Sequence, residues 1–166
     1  MTSKMTHSIK NRETPNDKFY TPDELVKTHI NFIKDLLGDG IIYEPFAGAG
    51  AYIKHLPTAI STELDRGEDF FDFHQKVDYI VSNPPYSCID KVLEHSIELN
   101  PTVISYLIGV NNLTARRLEY MNGKGYFLER VKMCKVYKWF GMSFICVWVK
   151  GKEKDCIQYD RTIYKN

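Results

Sequence analysis

The stretch VDYIVSNPPY, residues 77–86, joins an apolar run to a rigid polar turn. Its first half is typical of a buried strand. Proline cannot donate to a sheet ladder, so the strand has to end where Pro84 and Pro85 begin. The two rings fix φ at adjacent positions and also restrict the backbone of Asn83. We therefore predict a strand over residues 77–82, followed by a stiff turn that holds an amide side chain and its neighbouring carbonyls in one orientation.

Strands and helices are predicted to alternate on both sides of this stretch. Further strands are expected over residues 40–43, 58–63, 102–110, 128–137 and 143–150, and helices over residues 22–37, 51–55, 87–100 and 112–121. Alternation with apolar strands of the parallel type indicates an α/β fold with a doubly wound, Rossmann-like sheet. The last two strands flank the segment KWFGM, so a terminal antiparallel hairpin is expected at one edge.

Local capping patterns predict where two of the helices begin. Thr21 is the expected N-cap of the first helix, with Pro22 at the first helical position and Glu24 completing a capping box. Ser87 and Asp90 form a second pattern of this kind at the start of the helix after the proline turn.

Composition limits the class of protein. With 166 residues, 43% of them apolar and 26% charged, the chain fits one globular domain over residues 19–166, after a flexible basic tail over residues 1–18. It has no apolar run of bilayer length, and its N-terminus lacks the apolar core of a signal peptide. The four cysteines are scattered, which favours a reducing compartment and argues against zinc. We expect a cytoplasmic protein without membrane contact or bound metal.

The net charge of +1 hides an uneven distribution of charge. Residues 116–138 hold seven basic side chains against two acidic ones: Arg116, Arg117, Lys124, Arg130, Lys132, Lys135 and Lys138. A basic surface of this kind suits contacts to phosphates, as in nucleic acids. Solvated lysines on exposed strand faces are the alternative.

A glycine-rich loop, EPFAGAG at residues 44–50, follows one predicted strand and precedes a predicted helix. In this context Gly48 and Gly50 allow the backbone to approach a ligand closely. The carboxylate of Glu44 at the strand end disfavours a pyrophosphate and favours a cationic or zwitterionic ligand. A tight turn without a ligand is the alternative.

Two acidic positions further along have the chemistry of a nucleoside site. Glu63, at the end of the second predicted strand, suits hydrogen bonds from ribose hydroxyls. Asp69 can accept from an exocyclic amine while Phe70 packs on a nucleobase. The alternatives are a solvated turn acid and an aromatic pair in the core, the second of which we favour for Phe71.

These features, in this order, resemble the S-adenosylmethionine-dependent N6-adenine DNA methyltransferases with an N-P-P-Y motif, in a minimal form without a separate target-recognition domain. The FYTP segment at residues 19–22 is similar to that family's additional cofactor-binding motif, and the resemblance covers roughly residues 18–110. The link between the second strand and EDFF is shorter than in the family, so we expect the third strand of such a sheet to be reduced.

The resemblance implies S-adenosyl-L-methionine as the cofactor and a role for each motif. The implied cofactor-binding residues are Phe19, Tyr20, Thr21, Pro22, Glu44, Phe46, Ala47, Gly48, Gly50, Glu63, Asp69, Phe70 and Asn83. The implied catalytic residues are Asn83, Pro84, Pro85 and Tyr86. Because the strands before the glycine-rich loop and the proline turn are neighbours in such sheets, the two loops are expected to lie side by side at one carboxyl edge. Candidate substrate-binding residues are Tyr86, Trp139, Phe140, Arg116 and Arg117, with edge or core packing as the alternative for the two hairpin aromatics.

Three functions remain open from the sequence. The first is methylation of adenine N6 in a nucleic acid, with DNA favoured over RNA and with a homodimer or a partner subunit supplying target recognition. The second is methylation of a protein glutamine at N5, because the same motif activates an amide. The third is a non-catalytic binding module. The small size is typical of an enzyme of bacterial, phage or viral origin.

Overall fold

The computed structural model describes residues 21–136 and 141–162 of the chain. Within these ranges it contains a six-stranded sheet and three α-helices. The strands are β1 Ile42–Glu44, β2 Ile60–Ser61, β3 Tyr79–Ser82, β4 Val103–Gly109, β5 Tyr126–Cys134 and β6 Ser143–Lys150. The helices are α1 Asp23–Ile33, α2 Ile89–Glu98 and α3 Ala115–Gly123. No described helix has both the length and the apolar character needed to cross a bilayer.

The strand order in the sheet is β2-β1-β3-β4-β6-β5. The first four of these strands run parallel, whereas β6 is antiparallel to both β4 and β5. The predicted doubly wound α/β sheet with a terminal antiparallel hairpin is therefore confirmed. Strand order reverses between β1 and β3, which is where parallel α/β sheets bind their ligands.

No strand forms between β2 and β3 in the described part of the chain, where a reduced strand was expected. Two short 3₁₀ turns, Leu64–Arg66 and Phe70–Asp72, occupy the interval between β2 and β3 instead. The sheet therefore ends at β2, which is only two residues long.

Apolar clusters cover both faces of the sheet. One cluster contains residues of α2 and α3, such as Leu93 and Met121, together with Ile104 of β4. The other contains Val26 of α1 and Leu107 of β4. Strand β4 contributes to both clusters because its alternate side chains point to opposite faces, which accounts for its continuous apolar sequence.

Both predicted N-caps are wrong. Pro22 precedes α1 without a side-chain cap, and the Thr21 hydroxyl instead accepts a hydrogen bond from Asn83. A 3₁₀ turn, Tyr86–Cys88, leads into α2, which also begins without a side-chain cap. The predicted helix over residues 51–55 is a series of turns. For Thr21 the local capping pattern lost to a contact with a segment distant in the chain, the proline turn.

Candidate active site

The carboxyl ends of β1, β2 and β3 bring together the glycine-rich loop, Glu63 and the proline turn. Glu44 ends β1 and opens the glycine-rich loop, Glu63 follows β2 by two residues, and Asn83 follows β3 directly. Because β1 pairs with both of the other strands, all three side chains lie at one edge of the sheet. The predicted convergence of the glycine-rich loop and the proline turn is thus a consequence of the strand order.

Glu44 links the glycine-rich loop to β3, the strand that leads into the proline turn. Its side chain is fully buried, and its Oε1 accepts from the backbone N–H of Phe46 at 2.9 Å and from the hydroxyl of Ser82. Its Oε2 is buried and has no partner among the described residues. Burial raises the pKa of Glu44 to about 8. The carboxyl group is therefore one that a cationic partner at Oε2 would ionise.

The glycine-rich loop is held by the segment that follows β2. The backbone N–H of Ala47 donates to the Thr62 carbonyl at 3.1 Å, and that of Gly48 donates to the Glu63 carboxylate at 2.5 Å. Gly48 and Gly50 have φ angles of 52° and 83°, in the left-handed region that favours glycine. A Cβ on either glycine would meet no atom within 4 Å, so the loop faces open space.

A buried histidine lies behind this loop. His29 of α1 is fully buried, and its two ring nitrogens lie 2.7 Å from the Tyr52 and Ser105 hydroxyls. Burial lowers the pKa of His29 to about 3, so the ring is neutral at physiological pH. The histidine therefore ties α1, the turns after the glycine-rich loop and the centre of β4 into one unit.

Asp69 and Phe70 lie at the start of the second 3₁₀ turn. Asp69 accepts from the backbone N–H of Phe71 at 2.9 Å and so caps this turn. The Phe70 ring is only 3% exposed and packs edge-to-face against Phe46 and His95. The Phe70 ring is thus part of the apolar core, in contact with Phe46 of the glycine-rich loop. Contact of Asp69 or Phe70 with adenine stays a prediction.

The proline turn has the fixed amide that its sequence predicts. Asn83 Nδ2 donates to the Thr21 hydroxyl at 3.1 Å, which leaves Oδ1 on the side of Tyr86, whose hydroxyl lies 3.5 Å away. Pro84 is buried, Pro85 is exposed, and Tyr86 is 37% exposed. The turn therefore presents a carbonyl-type oxygen beside a partly exposed aromatic ring.

The predicted substrate-binding arginines are engaged in ion pairs. Arg116 and Arg117 both contact the Asp90 carboxylate, at 2.7 and 2.6 Å. Arg130, further along the basic segment, forms an ion pair with Asp35 at 2.6 Å. Arg116 and Arg117 share the single carboxylate of Asp90, so two of the three arginine charges are balanced locally, and the basic surface is weaker than the sequence suggests.

Four candidate residues lie outside the described part of the chain: Phe19, Tyr20, Trp139 and Phe140. Pro22, next to Thr21, is described and lies exposed at the start of α1. The sequence does not reveal that Ser82 and Thr21 are the hydrogen-bond partners of Glu44 and Asn83. Thr21 lies within the quoted FYTP and Ser82 within the quoted VDYIVSNPPY, but only strand pairing and the position of α1 show which side chains they meet.

Comparison with known proteins gives the fold its context. No protein-family model matches the sequence, and no curated protein matches it. Solved structures do. Magnesium protoporphyrin IX methyltransferase from Synechocystis PCC 6803, with bound SAM, has a TM-score of 0.60 at 10% identity, over 77% of this chain and 79% of that one. The chain therefore shares the Rossmann-like α/β fold of this methyltransferase.

Two further structures show how varied the substrates on this fold are. The Mtq2-Trm112 complex of E. cuniculi, which methylates the translation termination factor eRF1, has a TM-score of 0.57 at 19% identity, over 80% of this chain and 98% of that one. A didemethyltoxoflavin N1-methyltransferase from Burkholderia thailandensis, with bound S-adenosylhomocysteine, has a TM-score of 0.61 at 9% identity, over 88% and 87%. The substrate of this chain therefore has to be argued from its own site.

Proposed function

We propose that this protein transfers a methyl group from S-adenosylmethionine to the N6 amine of adenine in DNA, on a flipped or unpaired base. The observation that carries the proposal is the orientation of Asn83. Its nitrogen donates to Thr21, and its oxygen, at the edge where the glycine-rich loop lies, accepts a long bond of 3.5 Å from the Tyr86 hydroxyl, which an incoming amine would replace. RNA is the variant of this proposal with the same target atom.

The residues at this edge fit the proposed cofactor. The unpartnered Oε2 of Glu44 suits the ammonium group of the cofactor's methionine part. The open space over Gly48 and Gly50 leaves room for the rest of that methionine part. Glu63 would accept from the ribose, Asp69 with Phe70 would contact the adenine ring, and the FYTP segment would lie near the methionine. When bound, the cofactor supplies an electrophilic methyl group on a sulfonium.

The proline turn has the chemistry needed to activate an aromatic amine. An adenine N6 amine is a poor nucleophile because its lone pair is delocalised into the ring. The Asn83 Oδ1 and the Pro84 carbonyl would each accept one N6–H, localising electron density on the nitrogen and stabilising its growing positive charge. Such preorganised acceptors contribute a few kcal/mol each, about 10²–10³ in rate. The rigidity of Pro84 and Pro85 keeps the amine in line for displacement.

Tyr86 would hold the target base. Its ring is 37% exposed beside the Asn83 oxygen, as a stacking partner for a base taken out of a helix would be. Trp139 and Phe140 are proposed to cover the other face of the base, with Arg116 and Arg117 near the nucleic acid. A second copy of the chain or a partner subunit would supply target recognition.

Methyl transfer from labelled S-adenosylmethionine tests the proposal. The wild type is expected to label N6-methyladenine in single- or double-stranded DNA. Asn83→Ala should lose about 10²–10³ of this activity while cofactor affinity by calorimetry stays within about threefold. Asn111 is exposed and lies outside the proline turn, so Asn111→Ala is the matched control and should keep full activity. Equal turnover by Asn83→Ala and the wild type would contradict the role of Asn83.

Glutamine N5 methylation of a protein is the second candidate. It is favoured by the ion pairs of Arg116, Arg117 and Arg130, which reduce the case for a nucleic-acid surface, and by the similarity in fold to Mtq2. A glutamine side-chain amide also has an NH₂ group that could donate to Asn83 Oδ1 and the Pro84 carbonyl. Label in a protein fraction, with none in DNA or RNA, would select this candidate.

A further inference from the structure

The end of β4 places a second asparagine beside the proline turn. After Gly109 the chain forms a 3₁₀ turn, Val110–Asn112. A Cβ on Gly109 would lie 3.3 Å from Asn112 Nδ2 and 3.4 Å from Cε2 of the Tyr86 ring. The Asn112 amide and the Tyr86 ring thus border the same small space, and the absence of a side chain at Gly109 keeps that space open.

Arg117 fixes the orientation of the Asn112 amide. Its Nη1 donates to the Asn112 backbone carbonyl at 2.7 Å and to the Asn112 Oδ1 at 3.3 Å. Its Nε donates at 2.6 Å to Asp90, in the first turn of α2 directly after the proline turn. The Arg117 side chain is only 16% exposed, whereas its partner Asp90 is 52% exposed, so Arg117 is held from the surface inwards against Asn112. With Oδ1 occupied, Nδ2 faces Gly109 and has no acceptor among the described residues.

We propose that Asn112 is a specificity-determining residue that donates from Nδ2 to a ring nitrogen of the target adenine; this inference rests on the proposed function. Adenine carries an acceptor on each side of its amine, N1 on one edge and N7 on the other. The turn offers acceptors for the amine, and Asn112 offers the neighbouring donor. Together they match the donor–acceptor edge of adenine. Arg117 then acts as a positioning residue for Asn112.

Deaza analogues of adenine test this contact atom by atom. The substrates are oligonucleotides with one target adenine, 1-deazaadenine or 7-deazaadenine in randomised flanks that contain no other adenine. For the wild type, kcat/KM is expected to fall about tenfold or more on one of the two analogues. Asn112→Ala should lose a similar factor on adenine and be indifferent to that same analogue. Asn111→Ala should behave as the wild type does.

The possible outcomes separate this inference from the function on which it rests. If each analogue lowers kcat/KM of the wild type and of Asn112→Ala by the same factor, Asn112 does not contact the ring, although adenine methylation stands. If the wild type methylates no adenine, both proposals fail. Asn112→Asp, which keeps an oxygen for Arg117, replaces the alanine variant if that variant does not fold, and the same indifference is expected of it.

Discussion

The two halves of the sheet, β2-β1-β3 on one side and β4-β6-β5 on the other, differ in strand length and in the role of the loops that follow their strands. On one side β2, β1 and β3 have two, three and four residues, and hydrogen bonds of Glu44 and Glu63 join their ends. Asn83, after β3, is bonded to Thr21 ahead of α1. On the other side β4, β6 and β5 have seven, eight and nine residues. Stability and chemistry are thus largely separated: the long strands supply most of the buried ladder, and the short strands position the loops of the proposed cofactor site. Strand β4, which is followed by Asn112, contributes to both.

The largest expected effect tests the long-strand side. Trp148 in β6 is 1% exposed, opposite Ile104 and Leu128 in the neighbouring strands. Trp148→Ala should lower the free energy of unfolding by about 3–5 kcal/mol, because it leaves a large cavity. The indole Nε1 is buried without a partner among the described residues, so Trp148→Phe should cost less than about 2 kcal/mol. Denaturant unfolding measures both, and a loss below about 1 kcal/mol for the alanine variant would contradict the separation.

The next effect concerns proton release at Glu44 on the short-strand side. Its pKa of about 8 means that the cofactor-free protein holds a proton there at neutral pH. An ammonium at Oε2 needs the carboxylate, so affinity for S-adenosylmethionine should rise about tenfold per pH unit from about pH 5 to 7, below the range in which the cofactor's own α-amino group loses its proton. The free energy of unfolding of the cofactor-free protein depends on pH in the opposite direction. The raised pKa of Glu44 contributes stability at low pH, and this contribution is lost as the pH rises through about 8.

Calorimetry in buffers of different ionisation enthalpy measures this release. Glu44→Gln can keep the bonds from Phe46 and Ser82 but has no proton to lose, so its affinity should not depend on pH over this range. A pH dependence equal in the wild type and in the Gln variant would remove Glu44 from the cofactor site.

The smallest effect isolates the orientation of Asn83. Thr21→Val removes the hydroxyl that accepts from Asn83 Nδ2 and changes little in shape. We expect kcat to fall about tenfold while the free energy of unfolding changes by less than about 1 kcal/mol. Thr28→Val, which removes only a bond to the Glu24 carbonyl within α1, is the matched control. A stability loss of several kcal/mol with unchanged kcat would show that Thr21 serves the fold rather than Asn83.

The sequence predicts the sheet, its hairpin edge and the convergence of the glycine-rich loop with the proline turn, because apolar runs, glycines and prolines act locally. It mispredicts Thr21 as a helix cap, since the competing partner of its hydroxyl lies 62 residues away in the chain. It overestimates the basic surface for the same reason: Asp35 pairs with Arg130 across 95 residues. Pairings of this range depend on the finished fold, and no local pattern contains them.

Nucleoside mass spectrometry of DNA from cells that express the protein tests the central claim most directly. The claim is that the oriented Asn83 amide activates adenine N6. We predict N6-methyladenine above background with the wild type and with Asn111→Ala, and background levels with Asn83→Ala at equal expression. N6-methyladenine that is absent with the wild type, or equal with Asn83→Ala, would contradict the account.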